Sequence, residues 1–256
     1  MGIWLTGDIH GNPVRLSTDN FYEQKEFNGN KEDNIVIVLG DFGLVWNCNG
    51  ENNNEKWWLD WLEEKPFTVC FIDGNHENFD RLYKYPVEKW HGGKVHKIRD
   101  NVIHLMRGQV FEIEDKKFFT FGGASSHDIK DGILEIDDPD FKQKRKKLDK
   151  NPYALYRVNH VSWWKEELPS KEEMQEGIYN LEKHDWKVDY ILTHSPSASV
   201  IALLGQGLYE QDILTKYLED IRCETEYKRH FAGHMHVNRA INEKDILLYE
   251  QIIRIV

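Results

Sequence analysis

The sequence predicts an α/β protein with mixed β-sheets, and three observations support this fold class. Short apolar runs, which predict buried strands, recur along the chain. In the first half, these runs alternate with segments of helical periodicity. In the middle, two strand-like segments flank a short polar turn and predict a hairpin. Alternating strands and helices followed by hairpins indicate two sheets packed face to face, with helices outside.

The predicted elements can be placed along the chain in order. Apolar runs predict five strands, at residues 3–6, 35–39, 69–72, 190–192 and 231–232. Helices are predicted near Asn20 and over residues 55–64, 79–83 and 171–181. The hairpin joins 109–113 to 117–122, and a closing meander is predicted over 238–241, 246–249 and 251–256. A chain of 256 residues is near the upper size of one hydrophobic core, so we expect 1–256 to form a single domain.

A polar segment follows each of the five predicted strands. These segments are Asp8-Ile9-His10, Gly40-Asp41, Gly74-Asn75-His76-Glu77, Thr193-His194 and Gly233-His234-Met235-His236. Open α/β sheets bind their ligands at the carboxyl ends of the strands. Asp, Asn and His donors without Cys suit hard or borderline divalent metals rather than a thiolate zinc site. The sequence therefore predicts one metal site at the sheet edge.

In their order and residue types, the five segments resemble the motifs of the calcineurin-like metallophosphoesterase superfamily. Its pattern runs D-x-H, G-D, G-N-H-[D/E], a single H and G-H-x-H, and all five blocks occur here between residues 8 and 236. The resemblance implies a four-layer α/β/β/α sandwich of two mixed sheets, with the metal site at the sheet edge. It also implies a binuclear metal-dependent phosphoric ester hydrolase.

The resemblance further implies a role for each motif residue. Three residues bind each metal ion, and one carboxylate bridges the two ions. They are Asp8, His10 and His236 for the first ion, Asn75, His194 and His234 for the second, and Asp41 as the bridge. His76 is the implied catalytic residue, which protonates the leaving group or stabilises the phosphoryl charge. The implied cofactors are two divalent metal ions. The mixed N/O donors favour Mn²⁺, with Fe²⁺, Ni²⁺, Co²⁺, Zn²⁺ or Mg²⁺ as alternatives.

Departures from subfamily patterns narrow the function. Phe42-Gly43-Leu44-Val45-Trp46 follows Asp41, so the phosphate-binding Arg that Ser/Thr protein phosphatases carry after this motif is absent. Leu44 stands where purple acid phosphatases have a Tyr ligand. The closing Gly233-His234-Met235-His236 resembles small bacterial and phage phosphoesterases and phosphodiesterases.

We therefore favour hydrolysis of phosphodiester bonds in small or nucleotide-like substrates through a metal-bridging hydroxide. A phosphomonoesterase or a protein phosphatase is the alternative within the superfamily. A catalytically idle metal-binding scaffold is the alternative outside enzyme function, although no ligand position is substituted here.

Residues 124–170 form a long polar stretch interrupted by Pro139, Pro152 and Pro169, which predicts a cap or loop insertion. We expect it to face the substrate; an ordered surface excursion away from the site is the alternative. The residues expected nearest the phosphate are Ser125, Ser126 and His127. Three cationic residues are candidates for a phosphate clamp or else surface residues: Arg81, Arg157 and Lys165.

Composition limits the partners. The formal net charge of −11 argues against a large nucleic-acid footprint, although nucleotides remain compatible because metal ions supply a local positive field. The basic run at 142–147 is expected to be a solvated helix or loop face. No apolar run approaches the ~20 residues of a membrane span, so no membrane partner is expected. Cys48, Cys70 and Cys223 are expected to be reduced thiols of a cytoplasmic protein. The oligomeric state stays open.

Overall fold

The computed structural model describes residues 2–205 and 211–256. In chain order, the strands are β1 (Gly2–Thr6), β2 (Asn34–Val38), β3 (Thr68–Phe71), β4 (Val87–Trp90), β5 (Gly93–Arg99), β6 (Val102–Leu105), β7 (Gln109–Ile113), β8 (Lys116–Phe121), β9 (Gly132–Leu134), β10 (Tyr156–Val158), β11 (Tyr190–Thr193), β12 (Arg229–Ala232), β13 (Arg239–Ala240), β14 (Asp245–Leu247) and β15 (Ile253–Arg254). The helices are α1 (Asn53–Glu63), α2 (Phe79–Leu82), α3 (Phe141–Leu148), α4 (Lys171–Lys183), α5 (Ala198–Gly205) and α6 (Ile213–Glu224). Short 3-10 helices lie at Pro13–Leu16, Tyr22–Glu26, Lys31–Asp33 and Lys165–Glu167.

The strands form two large mixed sheets and one small parallel pair, β9 with β10. The first sheet has the order β15-β1-β2-β3-β6-β5-β4, with β1, β2, β3 and β6 parallel. The second has the order β13-β14-β12-β11-β8-β7, with β14, β12, β11 and β8 parallel. Antiparallel strands lie at the edges of both sheets. The predicted α/β class with mixed sheets is confirmed.

Alternate side chains of the first sheet point to its two faces. Ile3 and Leu5 of β1 pack into the same apolar cluster as Phe118 of the second sheet. Trp4, which lies between them in the sequence, packs on the opposite face with Leu59 of α1. The first sheet is therefore covered by the second sheet on one face and by α1 on the other.

The second sheet repeats this arrangement. Phe118 faces the first sheet, whereas Phe119 and Phe121 pack outward against Leu181 of α4 and Leu214 of α6. Full burial of each such side chain contributes about 1.5–3 kcal/mol to folding. The layers are helix, sheet, sheet and helix, so the expected four-layer α/β/β/α sandwich is confirmed.

The sequence prediction missed both exposed and buried elements. The hairpin of β7 and β8 was predicted, but β4, β5, β6, α5 and α6 were not. β4 is mostly exposed and has no apolar run, whereas β6 is fully buried. The stretch predicted as a cap or loop insertion over 124–170 contains β9, β10 and α3. The basic run at 142–147 lies on exposed positions of α3, as expected. Near Asn20, the predicted helix is a pair of short 3-10 helices.

The C-terminal strands do not form the predicted closing meander, and that prediction is wrong. β13 and β14 pair in the second sheet, but β15 crosses to the first sheet and pairs antiparallel with β1. The crossing places a partner on the otherwise open edge of β1, where its backbone groups would lack hydrogen bonds. None of the helices in the described residues has the length and apolar character that crossing a membrane requires.

A buried ion pair joins the layers behind the predicted metal site. Nε and Nη2 of Arg107 donate to Oδ2 of Asp73 at 2.8 and 2.6 Å, and Nη2 also donates to the Glu166 carbonyl at 2.7 Å. His104 Nε2 lies 3.1 Å from Asp73 Oδ1. Burial opposes ionisation of Asp73, but Arg107 and His104 outweigh it and lower its pKa. The network ties β3, β6 and the segment at 124–170 together.

Replacing Arg107 should destabilise the fold, because it leaves the buried carboxylate of Asp73 without its charged partner. We expect Arg107→Met to lower the free energy of unfolding by about 3–5 kcal/mol in urea denaturation. The matched control is Arg145→Met, whose partner Asp149 is exposed and 3.8 Å away. The control should change stability by about 0–1 kcal/mol. Equal losses in the two variants would contradict a structural role for the buried pair.

Candidate metal centre

The seven predicted metal ligands all follow the carboxyl ends of parallel strands. Asp8 and His10 follow β1, Asp41 follows β2, Asn75 follows β3, His194 follows β11, and His234 and His236 follow β12. Within the first sheet β1, β2 and β3 are neighbours, as are β11 and β12 within the second. Because the sheets are stacked, their strand order brings all these ends to one edge.

Four of these residues form a first donor group, in which one atom of each lies within 4.8 Å of the others: Asp8, His10, Asp41 and His236. Nε2 of His10 lies 3.0 Å from Nε2 of His236. Nε2 of His236 lies 3.1 Å from Oδ2 of Asp8. Nε2 of His10 lies 3.8 Å from Oδ2 of Asp41. The donor atoms therefore surround one small space.

Asp41, His194 and His234 form a second donor group with the same 4.8 Å limit. Nε2 of His194 lies 3.4 Å from Oδ1 of Asp41. Asp41 therefore belongs to both groups, with Oδ2 toward His10 and Oδ1 toward His194. Among the described residues, Asp41 is the member that the two groups have in common. Asn75 lines the same cavity as His10, Asp41 and His234.

The donor chemistry fits divalent metal ions. In the described chain, three buried polar atoms here have no hydrogen-bond partner: Asp8 Oδ2, Asn75 Oδ1 and His194 Nε2. Each buried unpaired atom costs about 1–3 kcal/mol, and cations bound at the two donor groups would satisfy all three. Donors that bind one ion at right angles and at about 2.1 Å lie about 3.0 Å apart. The two shortest separations in the first group match that value.

Four of the predicted ligands adopt a left-handed backbone, which non-glycine residues rarely do. They are His10, Asp41, His234 and His236, with φ angles of 44°, 45°, 63° and 49°. Such conformations cost about 1–3 kcal/mol each and occur mainly at functional sites. The fold therefore holds these side chains in place against a local conformational cost.

Backbone groups orient the donor side chains. Oδ1 of Asp8 accepts from the His234 N–H at 3.0 Å, and Oδ1 of Asp41 accepts from the His76 N–H at 2.9 Å. Nδ1 of His194 lies 2.8 Å from the Leu39 carbonyl. A carbonyl oxygen only accepts, so Nδ1 carries the hydrogen and the lone pair of Nε2 faces the site.

Two glycines allow the close approach of these groups. A Cβ at Gly74 would lie 2.1 Å from Oδ1 of Asp41, and one at Gly40 would lie 2.1 Å from Nδ1 of His194. Gly40 also has a φ of 90°, which favours glycine. Both positions therefore require glycine for the donor groups to approach each other.

Burial determines the protonation of two of the imidazoles. It lowers the pKa of His10, and it lowers the pKa of His234 to about 3, with the neighbouring His194 acting in the same direction. Both imidazoles are therefore neutral near pH 7 and can offer a lone pair. The neighbouring Asp8 carboxylate instead raises the pKa of His236.

Glu77 supports the site, although the sequence analysis gave it no role. Its Oε1 accepts from the N–H groups of Phe42 and Gly43 at 2.7 and 3.4 Å, and its Oε2 accepts from that of Gly74 at 2.9 Å. The side chain thus joins the loop that carries Asp41 to the loop after β3. Burial, Asp41 and Asp73 raise its pKa against these backbone donors. The only sequence feature that indicated a role for Glu77 was its position in the third motif segment.

A second buried carboxylate supports Asn75 from the segment at 124–170. Nδ2 of Asn75 lies 3.3 Å from Oγ of Ser126, which leaves Oδ1 as the amide atom without a partner. The Ser126 N–H donates to Oε2 of Glu167 at 3.2 Å. Burial raises the pKa of Glu167 to about 7. Glu167 lies far from every motif in the sequence, so no local sequence pattern indicated its contact with Ser126.

His76 lies beside the donor groups with its ring held on two sides. Trp46 stacks on it with ring centroids 5.4 Å apart, and His10 meets it edge-on at 5.0 Å. Burial lowers the pKa of His76; Asp41 opposes this effect and Arg157 adds to it. The stacked Trp46 follows the second motif and was not predicted as a site residue.

A cavity of about 230 Å³ opens over the donor atoms. It is lined by His10, Asp41, Asn75, His76, His127, Asp128, Arg157, His234 and His236. A larger cavity of about 870 Å³ shares His127, His234 and His236 with it. Ser125 and Ser126 line this larger cavity. The predicted substrate residues therefore lie beside the site, and Ser126 also contacts Asn75.

Changing Glu77 should weaken metal binding without removing a donor. In Glu77→Gln the amide NH₂ must face a backbone N–H, because both carboxylate oxygens accept from such groups. We expect Mn²⁺ to bind about 10- to 100-fold more weakly in equilibrium dialysis. Glu63→Gln, on the half-exposed end of α1, is the control. Parent-like Mn²⁺ affinity in Glu77→Gln would contradict this role.

Comparison with known protein families agrees with the resemblance seen in the motifs. Residues 1–238 match the family model of the calcineurin-like phosphoesterases. No curated protein matches the chain significantly. One similar solved structure is the crystal structure of phosphopantetheinyl hydrolase from Mycobacterium tuberculosis, at 14% identity and a TM-score of 0.42, covering 97% of this chain and 88% of that one. Because the family model spans most of its length, the chain belongs to the calcineurin-like phosphoesterase family, which supports a metal-dependent phosphoesterase activity.

Proposed function

We propose that this protein hydrolyses phosphodiester bonds of small or nucleotide-like substrates with two divalent metal ions, preferably Mn²⁺. The observation that carries the proposal is the membership of Asp41 in two donor groups. Unpaired buried atoms of Asp8, Asn75 and His194 support it. We assign Asp8, His10 and His236 to the first ion; the second takes Asn75, His194 and His234.

The charges of the site favour an anionic substrate. When bound, divalent metals stabilise phosphoryl oxygens as Lewis acids and lower the pKa of water to about 7. Asp8 and Asp41 contribute two negative charges, which neutralise half of the +4 of two such ions. The excess positive charge attracts a phosphate ester. A set of four carboxylates would remove that attraction.

We assign the catalytic proton donor to His76. Hydrolysis forms a P–O bond to the oxygen of water, which releases a proton to solvent. It breaks the P–O bond to the leaving group, whose oxygen takes up a proton. His76 lines the cavity, and its backbone N–H donates to Asp41, so its position is coupled to the shared carboxylate. The alternative role is a hydrogen bond that stabilises the charge on the phosphoryl oxygens.

The space around the site favours a diester over a monoester. A diester carries an organic group on each side of its phosphate. The larger cavity, which adjoins the one over the donor atoms, offers room for such a group. We also propose that residues 124–170 form the cap, since His127, Asp128 and Arg157 line the smaller cavity. A phosphomonoesterase is the competing function.

Metal content and substrate preference test the proposal together. Protein purified without chelator should contain about two metal ions per chain by elemental analysis. With Mn²⁺ it should hydrolyse bis-p-nitrophenyl phosphate with a higher kcat/KM than p-nitrophenyl phosphate, and Ni²⁺ and Mg²⁺ serve as comparison metals. Saturation at one ion would exclude the binuclear site. A faster monoester reaction would favour a phosphomonoesterase, and full loading without hydrolysis would favour an idle scaffold.

The role of His76 can be separated from metal binding. We expect His76→Ala to keep its metal content and to lower kcat by about 10²- to 10⁴-fold on alkyl esters. The loss should be smaller on p-nitrophenyl esters, whose leaving group needs little protonation. His91→Ala, in the exposed turn between β4 and β5, is the control. Equal losses on both esters would favour the charge-stabilising role.

A further inference from the structure

Among the described residues that line the cavity over the donor atoms, one is a permanently charged cation, and it does not come from the five motifs. That residue is Arg157 of β10, in the segment at 124–170. Asp128 of the same segment lines the cavity as well. The motif residues in the lining contribute only imidazole, carboxylate and amide groups. The position of Arg157 therefore depends on how this segment folds back over the sheet edge.

The guanidinium of Arg157 is held in a fixed orientation. Its Nε donates to both carboxylate oxygens of Asp128, at 2.8 and 2.9 Å, and its Nη1 donates to the Ser162 carbonyl at 2.8 Å. The side chain is 11% exposed. Nη2 makes no hydrogen bond to any described residue. A rigid guanidinium with one unused nitrogen, on the wall of the cavity over the donor atoms, is suited to bind a phosphate oxygen.

The two other cations that the sequence offered as phosphate clamps lie elsewhere. Nη1 of Arg81 donates to both carboxylate oxygens of Glu55, at 3.1 and 3.0 Å, and to the Asn47 carbonyl. Lys165 is 81% exposed and lines a different cavity, beside Tyr83. Only Arg157 of the three lines the cavity with the predicted metal ligands.

We propose that Arg157 binds the substrate phosphate through Nη2, and that the Asp128 carboxylate which holds it selects singly charged diesters over doubly charged monoesters. This inference rests on the proposed phosphoesterase function and names the residues that determine its substrate class. Arg157 replaces, from the inserted segment, the phosphate-binding arginine that is absent after Asp41.

The pairing with Asp128 explains why Arg157 does not favour a doubly charged monoester over a singly charged diester. Arg157 and Asp128 together add no net charge to the cavity, so the pair adds hydrogen-bond donors without strengthening the overall attraction for anions. The Asp128 side chain is 41% exposed and faces the same cavity. Its negative charge repels the second charge of a monoester dianion, whereas a diester carries only one.

Phosphate binding tests the role of Arg157 without measuring catalysis. We titrate Mn²⁺-loaded protein with inorganic phosphate by calorimetry, after confirming the Mn²⁺ content by elemental analysis. Arg157→Ala should bind phosphate about 10- to 100-fold more weakly than the parent. The matched control is Arg145→Ala, an exposed arginine of the same segment that is also paired with an aspartate. Equal phosphate affinity in the two loaded variants would overturn the proposal.

A second variant covers the case in which Arg157→Ala fails to fold or to retain Mn²⁺. Arg157→Lys keeps the charge but cannot reproduce the guanidinium fork. It should bind phosphate more weakly than the parent, and parent-like affinity would overturn the binding role of Nη2.

Substrate preference tests the role of Asp128. Asp128→Asn removes the charge but keeps an oxygen that can accept from Nε of Arg157. We expect kcat/KM for p-nitrophenyl phosphate, relative to bis-p-nitrophenyl phosphate, to rise about tenfold. Asp149→Asn, at the exposed partner of Arg145, should leave this ratio unchanged. The same ratio in both variants would overturn the selective role. If the parent hydrolyses neither ester, the proposed function fails, and the phosphate titration still decides the role of Arg157.

Discussion

The crowding of donor atoms around Asp41 is the constraint on which the rest of the site depends. Its two oxygens face His10 on one side and His194 on the other, at 3.8 and 3.4 Å. Nearby buried atoms of Asp8 and Asn75 have no partner within the described chain. Without a cation, such an arrangement costs desolvation and repulsion. The stacked sheets and the left-handed turns maintain it, so folding energy prepares the site for metal.

Buried carboxylates next to the donor residues hold the loops of the site in place. Glu77 joins the loops after β2 and β3, and Asp73 pairs with Arg107. Glu167 accepts from the N–H of Ser126, which contacts Asn75. Each of these acidic groups accepts backbone or charged donors, which offsets the cost of its burial. The site is therefore anchored in both sheets and in the segment at 124–170. Metal binding and the stability of these loops are linked through the same contacts.

The residues of the site come from two parts of the fold, the strand ends of the two large sheets and the segment at 124–170. The five motif segments lie at strand ends, where the rigid sheets position metal donors and His76. The segment at 124–170 lies outside the sheets and contributes His127, Asp128 and Arg157 to the cavity wall. The division is not complete, because Ser126 of the segment also contacts the predicted donor Asn75. The small sheet of β9 and β10 places Arg157 on a regular element rather than on a loose loop.

The sequence alone determined the buried strands and the residues at their ends, because apolar runs and ligand types are local properties. It thereby predicted the α/β class, the family and the seven candidate ligands. The tertiary structure decided the roles of polar residues. Arg81, Arg157 and Lys165 look alike in sequence, and only Arg157 lines the cavity. The crossing of β15 and the contacts of Glu167 were likewise hidden. These features depend on contacts between distant segments that carry no periodic pattern, so only the folded chain reveals them.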